Sequence, residues 1–172
     1  MSRRLFAVFL ALSAAALTSC SDGGGTALAG GVGSGGLVGY EHTQVGKEYW
    51  VTMPQMQNTS GKPLTVLSGT IVHVPDGLRI TGYRVVDDGA GPHPMGVTPV
   101  GVTDDHALVH QGGSIPVPAH TSSHLSYEAR IKVTGAVHGD LTDCRYEYRQ
   151  GSTTYRQDIG CDTRIRLGRA LT

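Results

Sequence analysis

Residues 123–134 alternate apolar and polar side chains: Leu125, Tyr127, Ala129, Ile131 and Val133 on one side, Ser126, Glu128, Arg130, Lys132 and Thr134 on the other. Successive side chains of a strand point to opposite faces, so this is a strand with one buried and one wetted face. No segment beyond residue 20 sustains a helical period, whereas strand signals recur. Residues 48–57, with Trp50 near the start, form a first core strand. Residues 64–74 offer Leu64, Val66, Ile71 and Val72 for burial, and residues 78–86 follow. Between these two, Pro75-Asp76-Gly77 is a strong turn: Pro presets φ, Asp bonds back to the backbone, and Gly accepts positive φ. Short strands are expected at 96–102, 107–110, 114–117 and 164–167. Seven to nine strands, with turns about every 8–12 residues, make a β-sandwich.

Residues 87–105 form a long Gly/Pro-rich connection through Gly91, Pro92, His93, Pro94, Met95 and Gly96. Connections this long in a compact domain are usually functional or mobile. Gly91, Pro92, His93 and Pro94 are therefore the expected partner-binding loop.

The N-terminus is an address. Ser2-Arg3-Arg4 is basic, residues 5–17 are apolar and uncharged, and Leu17-Thr18-Ser19-Cys20 closes the run. The apolar stretch is shorter than the roughly 20 residues a membrane span needs. Its ending resembles the lipobox of bacterial lipoproteins: an aliphatic residue, two small residues and a cysteine. The resemblance implies cleavage before Cys20, acylation of its sulfur, and a protein held on the outer face of a membrane. Ser2-Arg3-Arg4-Leu5-Phe6 also resembles the start of a twin-arginine export signal. Gly23-Gly24-Gly25 and the glycines at 30, 31, 33, 35 and 36 read as a flexible tether. The expected organisation is a signal peptide over 1–19, a lipidated cysteine and tether over 20–44, and a sandwich domain over 45–172.

Cys144 and Cys161 remain as an even pair in an oxidising compartment, where a disulfide is the expected state. Arg145-Tyr146-Glu147-Tyr148-Arg149 alternates, Gln150-Gly151-Ser152 reads as a turn, and residues 154–159 resume the extended pattern. A hairpin centred between Ser152 and Thr153 would set the cysteines opposite one another. After loss of Arg3 and Arg4 the basic residues fall from 14 to 12, against 14 acidic ones, which argues against a nucleic-acid partner.

Over residues 45–168 the layout resembles the immunoglobulin-like domains of bacterial secreted lipoproteins, on the turn-then-strand run Asn58-Thr59-Ser60-Gly61-Lys62-Pro63-Leu64. The antibody-type order of Cys, Trp and Cys is absent, since Trp50 precedes both cysteines. Six of the eight histidines fall between His73 and His124. His106 and His110, and likewise His120 and His124, are four apart. On a strand that spacing is about 13 Å, too far for one ion, so convergence would need a turn. Met53, Met56, Met95 and His93 suggest soft ligands suited to copper. In compartment and fold class the chain resembles extracytoplasmic copper chaperones. A copper or zinc site would draw on His93, Met95, His106 and His110. No G-x-S-x-G or H-E-x-x-H motif occurs. The expectation is thus a single immunoglobulin-like β-sandwich after a signal peptide and tether. It is a lipid-anchored, non-catalytic interaction or structural module with no cofactor, a membrane contact through Cys20 and an envelope partner. The alternative is an extracytoplasmic metal-binding lipoprotein.

Overall fold

The structure is a computed structural model and describes residues 23–31, 34–87, 89, 96–101, 108–110 and 113–169. Cys20, the 91–94 loop, Met95 and His106 lie outside the described residues. All regular structure among the described residues is β.

Two five-stranded sheets face one another. The first runs β1 (Gly23–Gly24), β13 (Thr153–Ile159), β12 (Thr142–Gln150), β6 (Leu64–His73), β10 (Ile115–Val117). The second runs β8 (Val97–Pro99), β4 (Glu48–Thr52), β11 (Leu125–Val133), β7 (Leu78–Asp87), β9 (Leu108–His110). Two small pairs flank them: β2 (Leu28–Gly30) with β5 (Met56–Asn58), and β3 (Val38–Thr43) with β14 (Thr163–Leu167). The chain is thus an all-β sandwich. Tyr127 and Tyr146 meet between the sheets with ring centroids 6.3 Å apart. Their hydroxyls donate to the carbonyls of Gly113 and Pro54, so neither buried oxygen is left unpaired.

The expected strands are present, with informative departures. Residues 48–57 are two strands, β4 and β5, interrupted around Pro54, which has no N–H to offer a ladder. That interruption resets the alternation, so Met53 and Met56 are both core residues, 1% and 0% exposed, rather than one on each face. In β6 a register shift against Glu147/Tyr148 moves the inward set from Leu64 and Val66 to Gly69 and Ile71. A second shift, opposite Arg130/Ile131, does the same in β7, whose inward residues change from Leu78 and Ile80 to Tyr83 and Val85. One extra residue reverses the facing of everything beyond it.

Pro75-Asp76-Gly77 turns between β6 and β7 as expected, with Gly77 at φ 87° and a carbonyl, that of Ala136, where a side chain would stand. Asn58 is fully buried. Its amide donates to the carbonyls of Lys62 and Pro118, and its oxygen accepts from the Ser60 N–H and hydroxyl. It thereby fastens the 59–63 turn to the chain leaving β10.

Cys144 and Cys161 are bonded, with Cα atoms 5.7 Å apart. The register differs from the simple hairpin expectation. Gln150 pairs with Thr153 around Gly151-Ser152, so Cys144 stands opposite Ile159. Cys161 lies beyond the strand end, at the corner leading to β14, where Leu141 and Thr163 exchange backbone hydrogen bonds. The disulfide therefore pins a corner rather than a ladder rung.

Much of the segment expected to be a tether is strand. β1 adds to β13 in parallel, Gly25 N–H donates to Arg156 O at 2.7 Å, and Ala27 N–H donates to the Tyr148 hydroxyl at 3.1 Å. Gln157 holds both backbone groups of Leu28 with its amide. Ala27 and Leu28 are buried, so apolar burial and satisfied backbone groups offset the entropy cost of ordering a glycine-rich chain. A Cβ at Gly25 would run into the Tyr148 ring.

Candidate binding groove

β3 runs out to Thr43, a turn at 44–47 reverses the chain, and β4 returns beside β8 and β11. The turn is held by Gly46 N–H on Val133 O and Lys47 N–H on Gln44 O. Because β3 pairs with β14 while β4 belongs to the second sheet, the two strands diverge and leave a groove of about 850 Å³. That volume suits a small ligand or a few side chains of a partner.

Tyr40 and Tyr49 form the aromatic wall, ring centroids 5.8 Å apart, with His42 edge-on to Tyr40 at 5.9 Å. Burial, and then the neighbouring Tyr49, raise the Tyr40 phenol above its ordinary value, so it stays a neutral donor. Pro99 adds apolar surface. Lys47, Lys132 and Glu48 supply charge. Glu48 is engaged by the guanidinium of Arg130, whereas neither lysine has an ion-pair partner among the described residues. The groove therefore presents two ammonium groups beside an aromatic wall, which suits an anionic group carried on an apolar or planar body.

The outer face of the second sheet holds a different cluster. Arg84 is 4% exposed and Glu128 8%, although alternation places Glu128 and Ser126 on the wet face; Ser126 is also buried. The β7 register shift turns Arg84 to this face, where its Nε donates to Glu128 Oε2 at 2.6 Å. The guanidinium lies over Trp50, 3.8 Å from the ring centroid, and Thr52 donates to the other Glu128 oxygen at 3.3 Å. A buried carboxylate needs these partners, since an unpaired charge in such a place is costly. Glu128, Thr52 and the Trp50 ring together hold this cluster on the outer face.

Of the sequence-derived site residues, Cys144 and Cys161 are brought together and bonded. His110 lies in β9 beside Val85, while His93, Met95 and His106 are outside the described residues. His42, His73, His120, His124 and His138 are dispersed, and no group of three potential ligands converges among the described residues. His73 Nδ1 sits 3.0 Å from Asp143, an exposed pair. Tyr40, His42 and Gln44 went unnoticed in the sequence because they fell in the supposed tether over 20–44. The signal was there in Gly46, a turn residue between Tyr40 and Tyr49.

The fold and the groove define a disulfide-bridged all-β sandwich with a cationic, aromatic-walled cleft at one end. Compared with known families and curated proteins, the chain matches no family model and none of the curated sequences.

Proposed function

We propose that the protein is a lipoprotein with an immunoglobulin-like sandwich, anchored by Cys20 on the outer face of the cell membrane. It acts there as a non-catalytic module that captures an anionic partner of the cell envelope. The observation that carries the reading is the groove in which Lys47 and Lys132, without an ion-pair partner among the described residues, line the same cleft as Tyr40 and Tyr49. The disulfide supports the extracytoplasmic address, because such bonds persist in oxidising compartments.

Cross-linking in intact cells with a zero-length carbodiimide, which joins carboxylates to amines, tests it. A discrete adduct should form with the native chain and vanish in K47E/K132E, with the thermal midpoint unchanged because both lysines are peripheral to the core. An adduct that survives the double substitution removes the groove from the reading. One copper or zinc ion retained through native mass spectrometry, and lost in His106→Ala, would favour the metal-binding alternative instead.

A further inference from the structure

The N-terminal strand fixes more than the fold. β1 and β13 are parallel, so the chain enters the sandwich at the end carrying the β12–β13 turn at Gly151-Ser152. The 59–63 turn, the 118–124 connection and the exit of β7 at Asp87 lie at that same end. The 44–47 turn and the groove lie at the other. The ten residues of β6 run from one end to the other, which sets them about 30 Å apart.

Only Ser21 and Asp22 separate Cys20 from Gly23. Three residue steps reach at most about 11 Å even when fully extended. The polar layer of a bilayer leaflet is itself roughly 5–8 Å deep, and an acylated cysteine sits within it. From Gly23 onward the chain is held by backbone pairing to Tyr155 and Arg156, by the Tyr148 hydroxyl and by Gln157, so no slack is available inside the domain. At this end Lys62 and Arg149 are exposed, together with small polar residues such as Thr59 and Ser152.

We infer that the sandwich rests directly on the lipid headgroups through the end formed by the 59–63, 118–124 and 150–153 turns, with the groove held away from the membrane. The inference depends on the acylation of Cys20 proposed above. The short leash restricts the domain to one pose, and Lys62 and Arg149 suit phosphate headgroups. The groove is then presented to partners in the periplasmic or extracellular space instead of to the bilayer.

The test uses the full lipidated chain in phosphatidylcholine vesicles containing a nickel-chelating headgroup lipid. A nitroxide is placed at Ser152→Cys or at Val45→Cys, which is 57% exposed in the groove-end turn. Cys144 and Cys161 are oxidised and do not compete for the label. Relaxation by the nickel lipid should be several-fold stronger at Ser152→Cys than at Val45→Cys. A long Gly-Ser insertion between Asp22 and Gly23 should erase the difference. Equal relaxation at both positions in the native-length chain, or a difference that survives the insertion, overturns the inference. Acyl labelling of the wild type, absent in Cys20→Ala, is scored separately. A chain that takes no acyl group defeats the anchoring reading and this inference together, whereas an acylated chain with equal relaxation defeats the pose alone.

Discussion

The two register shifts show how much one residue decides. Without the extra residue in β7, Arg84 would point into the core and Val85 out of it. With it, Arg84 reaches Glu128 and lies on Trp50, and an apparently wetted position becomes buried. Replacing Glu128 by Gln keeps the shape but removes the carboxylate that the buried Arg84 Nε meets at 2.6 Å. The expected loss is about 3–5 kcal/mol, the range for breaking a buried pair. Urea unfolding followed by Trp50 fluorescence measures it, and the chain has one tryptophan, so the signal reports on this face. A loss under about 1 kcal/mol would show the pair to be solvated in the manner of surface bridges.

Among the elements, the N-terminal strands and the disulfide corner do the least expected work. β1 and β2 are short, yet they lie across the sandwich edge and bury Ala27 and Leu28. A chain beginning at residue 37 should therefore unfold at lower denaturant than one beginning at residue 21, and Leu28→Ala alone should cost about 2–5 kcal/mol. Matching denaturation midpoints for the two lengths would return residues 23–31 to the role of tether. The Cys144–Cys161 bond ties β12 to the corner before β14. Closing a loop of this size is worth about 3 kcal/mol in the chain-entropy model, so C144A/C161A should lose about that much in equilibrium unfolding.

At the scale of the whole molecule, the sheets are joined through buried tyrosines, and this sets the alkaline limit of the fold. Burial pushes the Tyr127 phenol up to about 12 and raises that of Tyr146 further. In the unfolded chain both ionise near 10. Their contribution is fully present below pH 10 and falls as pH rises above it, through about 12 for Tyr127 and further for Tyr146, because the unfolded state releases protons that the folded state retains. Tyr127→Phe should flatten that slope in thermal denaturation across the same window, though it also removes the bond to Gly113 O. A slope unchanged by the substitution would place the titrating groups elsewhere.

The all-β class, every strand of five or more residues among the described residues except β3, and the pairing of Cys144 with Cys161 were legible along the chain. Each depends on local periodicity, turn chemistry or a parity of cysteines. The Pro75-Asp76-Gly77 turn and the alternation of β11 are of this kind. What the chain did not disclose arises where distant segments meet. Glycines at 23–31 have no side chains to announce a strand, and only the edge of β13 and the Tyr148 hydroxyl make them one. Bulges leave no periodic trace, so the inward turn of Tyr83 and the outward turn of Arg84 waited on the β11 register. The groove exists because β3 pairs with β14, more than a hundred residues away, while β4 joins another sheet. Local chemistry determined which segments are strands, and tertiary pairing alone decided which faces they bury and where a ligand can sit.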